Sequence, residues 1–224
     1  KTLTVKGNTF KDLSVDASFL SPVLLVKVKS SSLNLLGQYE LMGFTVDLNT
    51  HPDNFVLNID WDNKGTDLNR GSFIVTGTFI KSDNEKANPF LKITIDSTRF
   101  YSRNNLWQIS RSGIVLDSNS VNINKLYISN KERYYLVDGT LSGDPGDTLR
   151  LEFKGIDISP LNLLINKNNR PDKISLSLKG LLNGQVLLTN LYKNPLIESN
   201  VKINNFSLLQ SNYGDLSIVS EWNN

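Results

Sequence analysis

The side chains that could carry out acid-base or nucleophilic chemistry in this chain are few and scattered. His51 is the only histidine of the 224 residues, and it lies in a polar segment just before Pro52. A histidine that acts as a general base or as a metal ligand needs partner side chains to orient it. Ser110 and Ser112 lack a nearby histidine in the sequence. The sequence therefore predicts that His51 is an ordinary loop residue and that the protein has no catalytic residues.

Oxygen ligands for a hard cation are concentrated at Asp60, Asp62 and Asp67, with two asparagines between them. Calcium is bound by such oxygens, but the EF-hand spacing, with Gly at the sixth and Glu at the twelfth position, is absent. The segment 144–147, Asp-Pro-Gly-Asp, has the composition of a turn. We therefore predict solvated carboxylates, no metal site and no cofactor.

The composition excludes several classes of protein. With 24 Lys and Arg against 22 Asp and Glu, the net charge is +2, and no basic run is interleaved with aromatic residues. Binding of nucleic acid is therefore not predicted. The absence of cysteine excludes disulfides, thiolate zinc sites and a cysteine nucleophile. The longest apolar run, 19–28, is interrupted and is shorter than the roughly 18 to 20 residues that span a bilayer, so no transmembrane segment is predicted.

Alternation with a period of two dominates the rest of the sequence. In 149–154, Leu, Leu and Phe alternate with Arg, Glu and Lys, and 174–179 and 216–222 follow the same pattern. Successive side chains of a strand point to opposite faces, so each segment predicts a strand with one apolar face. The exception is a short helix near residues 160–167, because Ser159 is a good N-cap and Pro160 suits the first helical position.

The number of strands constrains the architecture. About fifteen strands spaced at about 4.8 Å would form a sheet about 70 Å wide, beyond the roughly ten strands at which open sheets curl or split. An all-β, mostly antiparallel sheet that folds over on itself is therefore predicted, either as a filled sandwich or as an open trough. The predicted strands are 3–5, 23–28, 39–48, 55–61, 73–79, 90–95, 99–106, 114–116, 121–128, 134–141, 149–158, 173–178, 184–188, 201–208 and 216–222.

The same period assigns the apolar alternates to one face, which we take as the candidate lining of a groove. A bulge reverses the facing of every residue beyond it, and the apolar phase slips at Gly155 and at 204–205, so bulges are expected there. The predicted lining consists of Phe55, Leu57, Ile59, Phe73, Val75, Leu91, Ile93, Leu149, Leu151, Phe153, Ile174, Leu176, Leu178, Val201, Ile203, Leu216 and Ile218.

From residue 93 onward, the order of these segments resembles a known family. Trp107 opens a strand, a Gly-rich turn follows at 138–143, and the sequence DISPLNLLI passes from a strand into the helix. Two further segments complete the series, GLLNG at 180–184 and YGDL at 213–216. This series resembles the C-terminal conserved region of the TamB family of translocation and assembly module proteins, within the AsmA-like group. Residues 1–92 match it only in general character.

The resemblance implies that residues 1–224 are a single β-rich fragment of a longer envelope protein. TamB-like proteins are anchored in the inner membrane of diderm bacteria and extend through the periplasm as an elongated sheet, a β-taco, with an apolar concave face. That groove is thought to shield phospholipid chains during transport to the outer membrane, where the protein partners a barrel of the outer-membrane assembly type. We accordingly expect this chain to have the β-taco fold and a periplasmic localisation. Its expected partners are phospholipid and the outer-membrane assembly-type barrel.

A carbohydrate-binding or adhesin-like β-sandwich is the alternative from another functional class. Trp61, Trp107 and Trp222 could stack against sugar rings, because sugar sites favour exposed aromatic faces. Large aromatic side chains at the ends of strands are more commonly part of a core or its rim. Protection of the three tryptophans from chemical modification by a glycan would favour this alternative.

Overall fold

The chain is an all-β protein, as the sequence predicts. The computed structural model describes residues 1–35, 37, 39–65, 67–81, 90–166 and 176–222. Neighbouring strands run antiparallel, beginning with the hairpins of the first part of the chain and continuing to the last pair. The internal contacts divide the chain into two compact units, Lys1–Val121 (unit 1) and Asn122–Asn224 (unit 2).

The described residues form seventeen strands and one helix. Their bounds are β1 Thr2–Val5, β2 Asn8–Lys11, β3 Ser14–Leu20, β4 Val23–Leu35, β5 Tyr39–His51, β6 Asn54–Asn63, β7 Asn69–Ile80, β8 Phe90–Ile95, β9 Thr98–Ser102, β10 Asn105–Ile109, β11 Ser112–Leu116, β12 Val121–Asn130, β13 Arg133–Leu141, β14 Thr148–Asp157, α1 Leu161–Asn166, β15 Leu178–Thr189, β16 Leu196–Leu208 and β17 Ser211–Ser220.

Unit 1 is built from hairpins that add strands in chain order. β3 to β8 pair successively with their neighbours, and β11 returns to pair with β8. β2 and β3 lie end to end along β4, because β2 pairs with its residues 32–34 and β3 with its residues 23–29. Side chains directly opposite each other in an antiparallel pair point to the same face, so these registers decide which residues share a surface.

Unit 2 is a second series of antiparallel strands in which β13 to β17 pair in chain order. The helix α1 follows β14 and confirms the predicted helix, although Lys167 lies outside the described residues. Its attachment is specific, because the Asn162 side chain donates to the backbone carbonyl of Leu178 at 2.8 Å and accepts from its N–H at 2.6 Å. The helix is thereby held at the start of β15.

Two predicted strands are wrong, and two observed strands were missed. The predicted strand 99–106 is a hairpin, β9 and β10, whose turn residues Arg103 and Asn104 have positive φ angles of 48° and 63°. The predicted strand 173–178 fails where it can be checked, since Leu176 and Ser177 precede β15. β2 and β3 were not predicted; β2 has a single apolar residue, Phe10, whereas Val15, Ala17 and Phe19 of β3 do alternate with Asp16 and Ser18.

Both predicted bulges are confirmed. The register between β14 and β15 shifts between Phe153 and Ile156, and the register between β16 and β17 shifts between Ile203 and Phe206. Gly155 and Asn205 lie at these shifts with φ angles of 61° and 52°. The extra residue restores the apolar phase, so that the strand continues to direct its apolar side chains to the same face.

The bulge at Gly155 gives a first prediction. Gly155→Ala is expected to destabilise unit 2 by about 1–2 kcal/mol, because a side chain disfavours this left-handed backbone conformation. The new Cβ would also lie 3.2 Å from Cγ of Arg133. Urea denaturation followed by circular dichroism measures the change. Gly146→Ala, in a turn without a positive φ angle, is the control; an equal loss in both variants would contradict the role of the bulge.

Candidate functional site

One face of the unit 1 sheet is apolar across its paired strands. Leu57 of β6 lies opposite Leu48 of β5 and Val75 of β7, and Val75 in turn lies opposite Ile95 of β8. The neighbouring rows repeat this composition. The unit 1 apolar face comprises Val15, Ala17, Phe19, Leu24, Val26, Val28, Val46, Leu48, Phe55, Leu57, Ile59, Trp61, Phe73, Val75, Phe79, Leu91, Ile93, Ile95, Ile114 and Leu116.

All seven predicted lining residues of this unit lie on that face. Phe55, Leu57 and Ile59 point to the same side of the sheet as Phe73 and Val75, since Leu57 pairs with Val75 and Ile59 with Phe73. The remaining two lie farther along, where Leu91 and Ile93 of β8 pair with Leu116 and Ile114 of β11. The period-two assignment and the strand registers therefore select the same residues here.

Aromatic residues of unit 1 pack against one another and against a glycine. The ring of Trp61 stacks on Phe73 with centroids 5.3 Å apart and meets Phe100 edge-on at 6.2 Å. Its Nε1 donates to Oδ1 of Asn69 at 3.0 Å, and the residue is buried. Gly71 lies beneath the indole ring, where a Cβ would overlap it. The missing side chain therefore allows the close approach.

The apolar side chains remain partly accessible to solvent. Phe55, Leu57 and Val75 are half-buried, while Phe19 and Phe79 are 68% and 48% exposed. No side chain of the described residues is less than 2% exposed, whereas cores of domains this size contain fully buried aliphatic side chains. The unit 1 apolar face thus has the composition of a core but is only partly buried.

The opposite face of the same strands is polar and charged. Asp16, Lys27 and Asp47 lie opposite one another on β3, β4 and β5, and Nζ of Lys27 is 3.0 Å from Oδ1 of Asp47. An open depression of about 750 Å³ borders these three residues. The two faces of the sheet are therefore chemically distinct, as one-sided alternation requires.

In unit 2 the predicted lining residues of β14, β16 and β17 also share a face. Leu151 lies opposite Val137 and Val186, which places it in a row across β13, β14 and β15. The next row of this face joins Val201 to Ile218. The unit 2 apolar face comprises Tyr135, Val137, Leu149, Leu151, Phe153, Leu182, Val186, Leu188, Ile197, Val201, Ile203, Leu216 and Ile218.

One end of the unit 2 apolar face is covered by the chain itself. Ile158, just before α1, is buried in a cluster with Val201 and Ile203, which are 7% and 8% exposed. Leu178 and Leu216 pack against the same cluster. Four predicted lining residues, Leu178, Val201, Ile203 and Leu216, therefore contribute to a small closed core. Ile158 was not among the predicted lining residues, because it ends a predicted strand.

The remaining predicted lining residues of unit 2 differ in exposure. Leu149 is buried at 7%, Leu151 and Phe153 are half-buried, and Ile218 is 46% exposed. Leu176 is 38% exposed and lies outside the strands, so no strand register assigns it to a face. Ile174 lies outside the described residues. The most exposed residues of the face are therefore Ile197 of β16 and Ile218 of β17, at 50% and 46%, whereas Leu149 of β14 is buried.

Ionic side chains occupy the other face of unit 2. The guanidinium of Arg150 lies 3.3 Å from Asp138 and 3.1 Å from Glu152. Nζ of Lys202 lies 2.8 Å from Oδ2 of Asp215. The hydrogen bond from Lys202 lowers the pKa of the Asp215 carboxyl most, and the hydrogen bond from the Asn205 backbone N–H lowers it further. The charges therefore pair with each other away from the apolar face.

The residues considered for metal binding do not cluster in the part of the chain that the structure describes. His51 is exposed at the end of β5, and Asp62 and Asp67 are exposed. Among the described residues, no three His, Asp or Glu side chains are close enough to hold a metal ion. The predicted turn at 144–147 is confirmed, since the N–H of Asp147 donates to the carbonyl of Asp144 at 3.1 Å.

The three tryptophans differ in accessibility. Trp61 is buried between Phe73 and Phe100, so its ring is not open to a sugar. Trp107 is half-buried, and Trp222 is 55% exposed. The burial of Trp61 does not favour the carbohydrate-binding alternative in unit 1, because a stacking site needs an accessible ring.

Comparison of the chain with protein-family models, with curated proteins and with solved structures finds no match. No helix within the described ranges is long and apolar enough to cross a membrane. A function is therefore inferred from the two apolar faces.

Proposed function

We propose that this chain is a segment of a TamB-like lipid conduit that shields phospholipid acyl chains on their way between the inner and outer membranes. The carrying observation is the continuous row of Leu48, Leu57, Val75 and Ile95 on a face that remains partly exposed. As parts of this proposal, each apolar face is the concave side of a trough. The intact protein is periplasmic, anchored in the inner membrane, and partners an outer-membrane assembly-type barrel.

The chemistry of the unit 1 apolar face fits a hydrocarbon chain. Transfer of one methylene from water is worth about 0.8 kcal/mol, so full exposure of a sixteen-carbon chain costs on the order of 12 kcal/mol. Aliphatic and aromatic side chains offset this cost without directional bonds. None of the residues assigned to the face carries a charge, so the face does not bind a phosphate headgroup. We therefore expect the face to bind phospholipids with little preference for the headgroup.

Partial exposure supports a ligand-binding role over a purely structural one. A filled sandwich buries its apolar faces against each other, with the sheets about 10 Å apart. Here Phe55, Leu57 and Val75 stay half-buried, and Val15 and Phe19 are 60% and 68% exposed. An acyl chain lying along β6 and β7 would cover these side chains.

Photo-crosslinking that compares the two faces of a strand tests the proposal. A photo-reactive amino acid at Leu57 or Leu151 is expected to capture phospholipid when the protein is expressed in a diderm bacterium. At Asn58 or Arg150, the adjacent positions, no capture is expected, because neighbouring residues of one strand point to opposite faces. Mass spectrometry of the purified protein identifies the adducts.

Ile218 and Ser217 provide a second matched pair, on a strand at the exposed part of the unit 2 face. Equal labelling of both residues in each pair would indicate adventitious binding and contradict the proposal. Labelling of neither residue, together with protection of Trp222 by a glycan, would support the carbohydrate-binding alternative instead.

A further inference from the structure

β3, which pairs with β4, presents the other side of its backbone to solvent. All seven residues of β3 are exposed, including Val15, Phe19 and Leu20 at 60%, 68% and 68%. β3 pairs with β4 through residues 23–29. An exposed strand with apolar side chains is a template for pairing with another strand.

A contact between β4 and β5 shows which way the backbone N–H and carbonyl groups of β4 point. The N–H of Leu24 donates to Oγ1 of Thr50 at 3.1 Å, and this hydroxyl donates back to the Leu24 carbonyl at 3.2 Å. The backbone of Leu24 therefore points to β5. Backbone groups alternate in direction along a strand, so Leu25 and Lys27 bond towards β3.

The residues of β3 then divide into two sets. Ser18 and Asp16 lie opposite Leu25 and Lys27, and exchange hydrogen bonds with them. Val15, Ala17 and Phe19 alternate with these residues, so their N–H and carbonyl groups point away from β4. Each of these three residues thus presents a backbone N–H donor and a backbone carbonyl acceptor at the free edge of β3.

The charges beside this edge indicate the chemistry of the partner strand. Asp16, Lys27 and Asp47 form a row of alternating sign on the polar face, and Lys27 pairs with Asp47 at 3.0 Å. Asp16 has no ion-pair partner within 4.0 Å among the described residues. Opposite charges facing each other on adjacent strands are favourable. A cation opposite Asp16 would continue the row.

We propose that β3 is a docking edge for an extended partner strand that carries Lys or Arg opposite Asp16 and apolar residues opposite Val15, Ala17 and Phe19. The partner extends the sheet antiparallel to β3 by strand addition. Its backbone bonds to the three outward-pointing residues, and its apolar side chains cover those of β3. The inference does not depend on the proposed lipid role.

A second copy of β3 is a poorer occupant. Outward-pointing residues must pair with each other, so Asp16 can face only the even-numbered residues of the copy. These are Ser14, Asp16, Ser18 and Leu20, none of which is a cation. A partner with its own sequence is therefore favoured.

A labelled peptide tests the docking edge on the full chain. The probe is an end-blocked peptide with the sequence VLLVKVK, that of residues 23–29, which places a lysine opposite Asp16 in the register of β4. Fluorescence anisotropy measures its Kd. Ala17→Pro removes an N–H that points away from β4, and proline is tolerated at such an edge. It is expected to weaken binding about tenfold or more. Ala17→Val, which keeps the N–H, should bind as the wild type does.

A charge exchange keeps the test decisive if the proline variant misfolds. Asp16→Lys is expected to weaken binding of the lysine peptide about threefold and to strengthen binding of a peptide with glutamate at the fifth position. Circular dichroism verifies folding. Unchanged affinity in both variants, or no change of peptide preference with Asp16→Lys, would overturn the proposal. Dimers in analytical ultracentrifugation that Ala17→Pro abolishes would show that a second copy is the occupant, and would also overturn it.

Discussion

Val201→Asp is expected to unfold unit 2, whereas Ile218→Asp is expected to leave it folded. The two residues lie directly opposite each other on β16 and β17 and share the unit 2 apolar face. Val201 is 7% exposed and packs with Ile158 and Ile203, whereas Ile218 is 46% exposed. A carboxylate at Val201 loses its hydration without gaining a partner, which costs several kcal/mol. At Ile218 it stays in water, at a cost of about 1 kcal/mol or less.

Chemical denaturation of the two variants, followed by circular dichroism, measures the difference. Val201→Ala is the control for lost packing without a buried charge, and its loss of about 1–3 kcal/mol should be smaller than that of Val201→Asp. If Ile218→Asp unfolds the protein equally, the whole unit 2 apolar face is a filled core, and the lipid proposal fails for this unit. Reduced phospholipid capture at Leu151 in folded Ile218→Asp protein would support the proposal.

Trp61→Ala is expected to destabilise unit 1 by about 3–5 kcal/mol, the range for a buried aromatic side chain. The substitution removes the stack on Phe73 at 5.3 Å and the contact with Phe100 at 6.2 Å. It also leaves Oδ1 of Asn69 without the 3.0 Å hydrogen bond from the indole. The cavity would open directly above Gly71, which has no side chain to fill it.

Thermal and urea denaturation, monitored by circular dichroism, measure this loss. Phe79→Ala is the matched control on the same face, because Phe79 is 48% exposed and should cost about 1 kcal/mol. Trp61→Phe keeps a ring but loses the hydrogen bond and part of the packing, so a loss between those of Trp61→Ala and Phe79→Ala is expected. A loss for Trp61→Ala no larger than that for Phe79→Ala would show that the aromatic cluster does not stabilise the sheet.

Period-two alternation predicts much of this fold because it records which side chains leave water. The strand predicted at 90–95 has the observed bounds of β8, and the parity of Leu57 and Val75 agrees with the strand registers. The bulges at Gly155 and Asn205 were also predictable, since a slip in the apolar phase requires an extra residue. Local sequence determines these features.

Features that depend on distant contacts or on unusual backbone conformations were missed. The turn between β9 and β10 is formed by Arg103 and Asn104 with positive φ angles, and neither is a glycine that would have marked it. β3 was also missed, although its residues Val15, Ala17 and Phe19 alternate with Asp16 and Ser18. The burial of Val201 depends on Ile158, which precedes α1 and reaches back over β16. Periodicity within a strand does not show what covers its apolar face.

Two aromatic rings of the unit 1 apolar face lie over glycines. Phe55 extends across Gly77 and Trp61 across Gly71, where a Cβ would overlap either ring. A ring seated in this way fills the gap left by the glycine instead of projecting between its neighbours. A flexible hydrocarbon on such a surface keeps nearly the same contact area as it shifts by one methylene. If the face binds acyl chains as proposed, these two rings would therefore oppose the sliding of a chain only weakly.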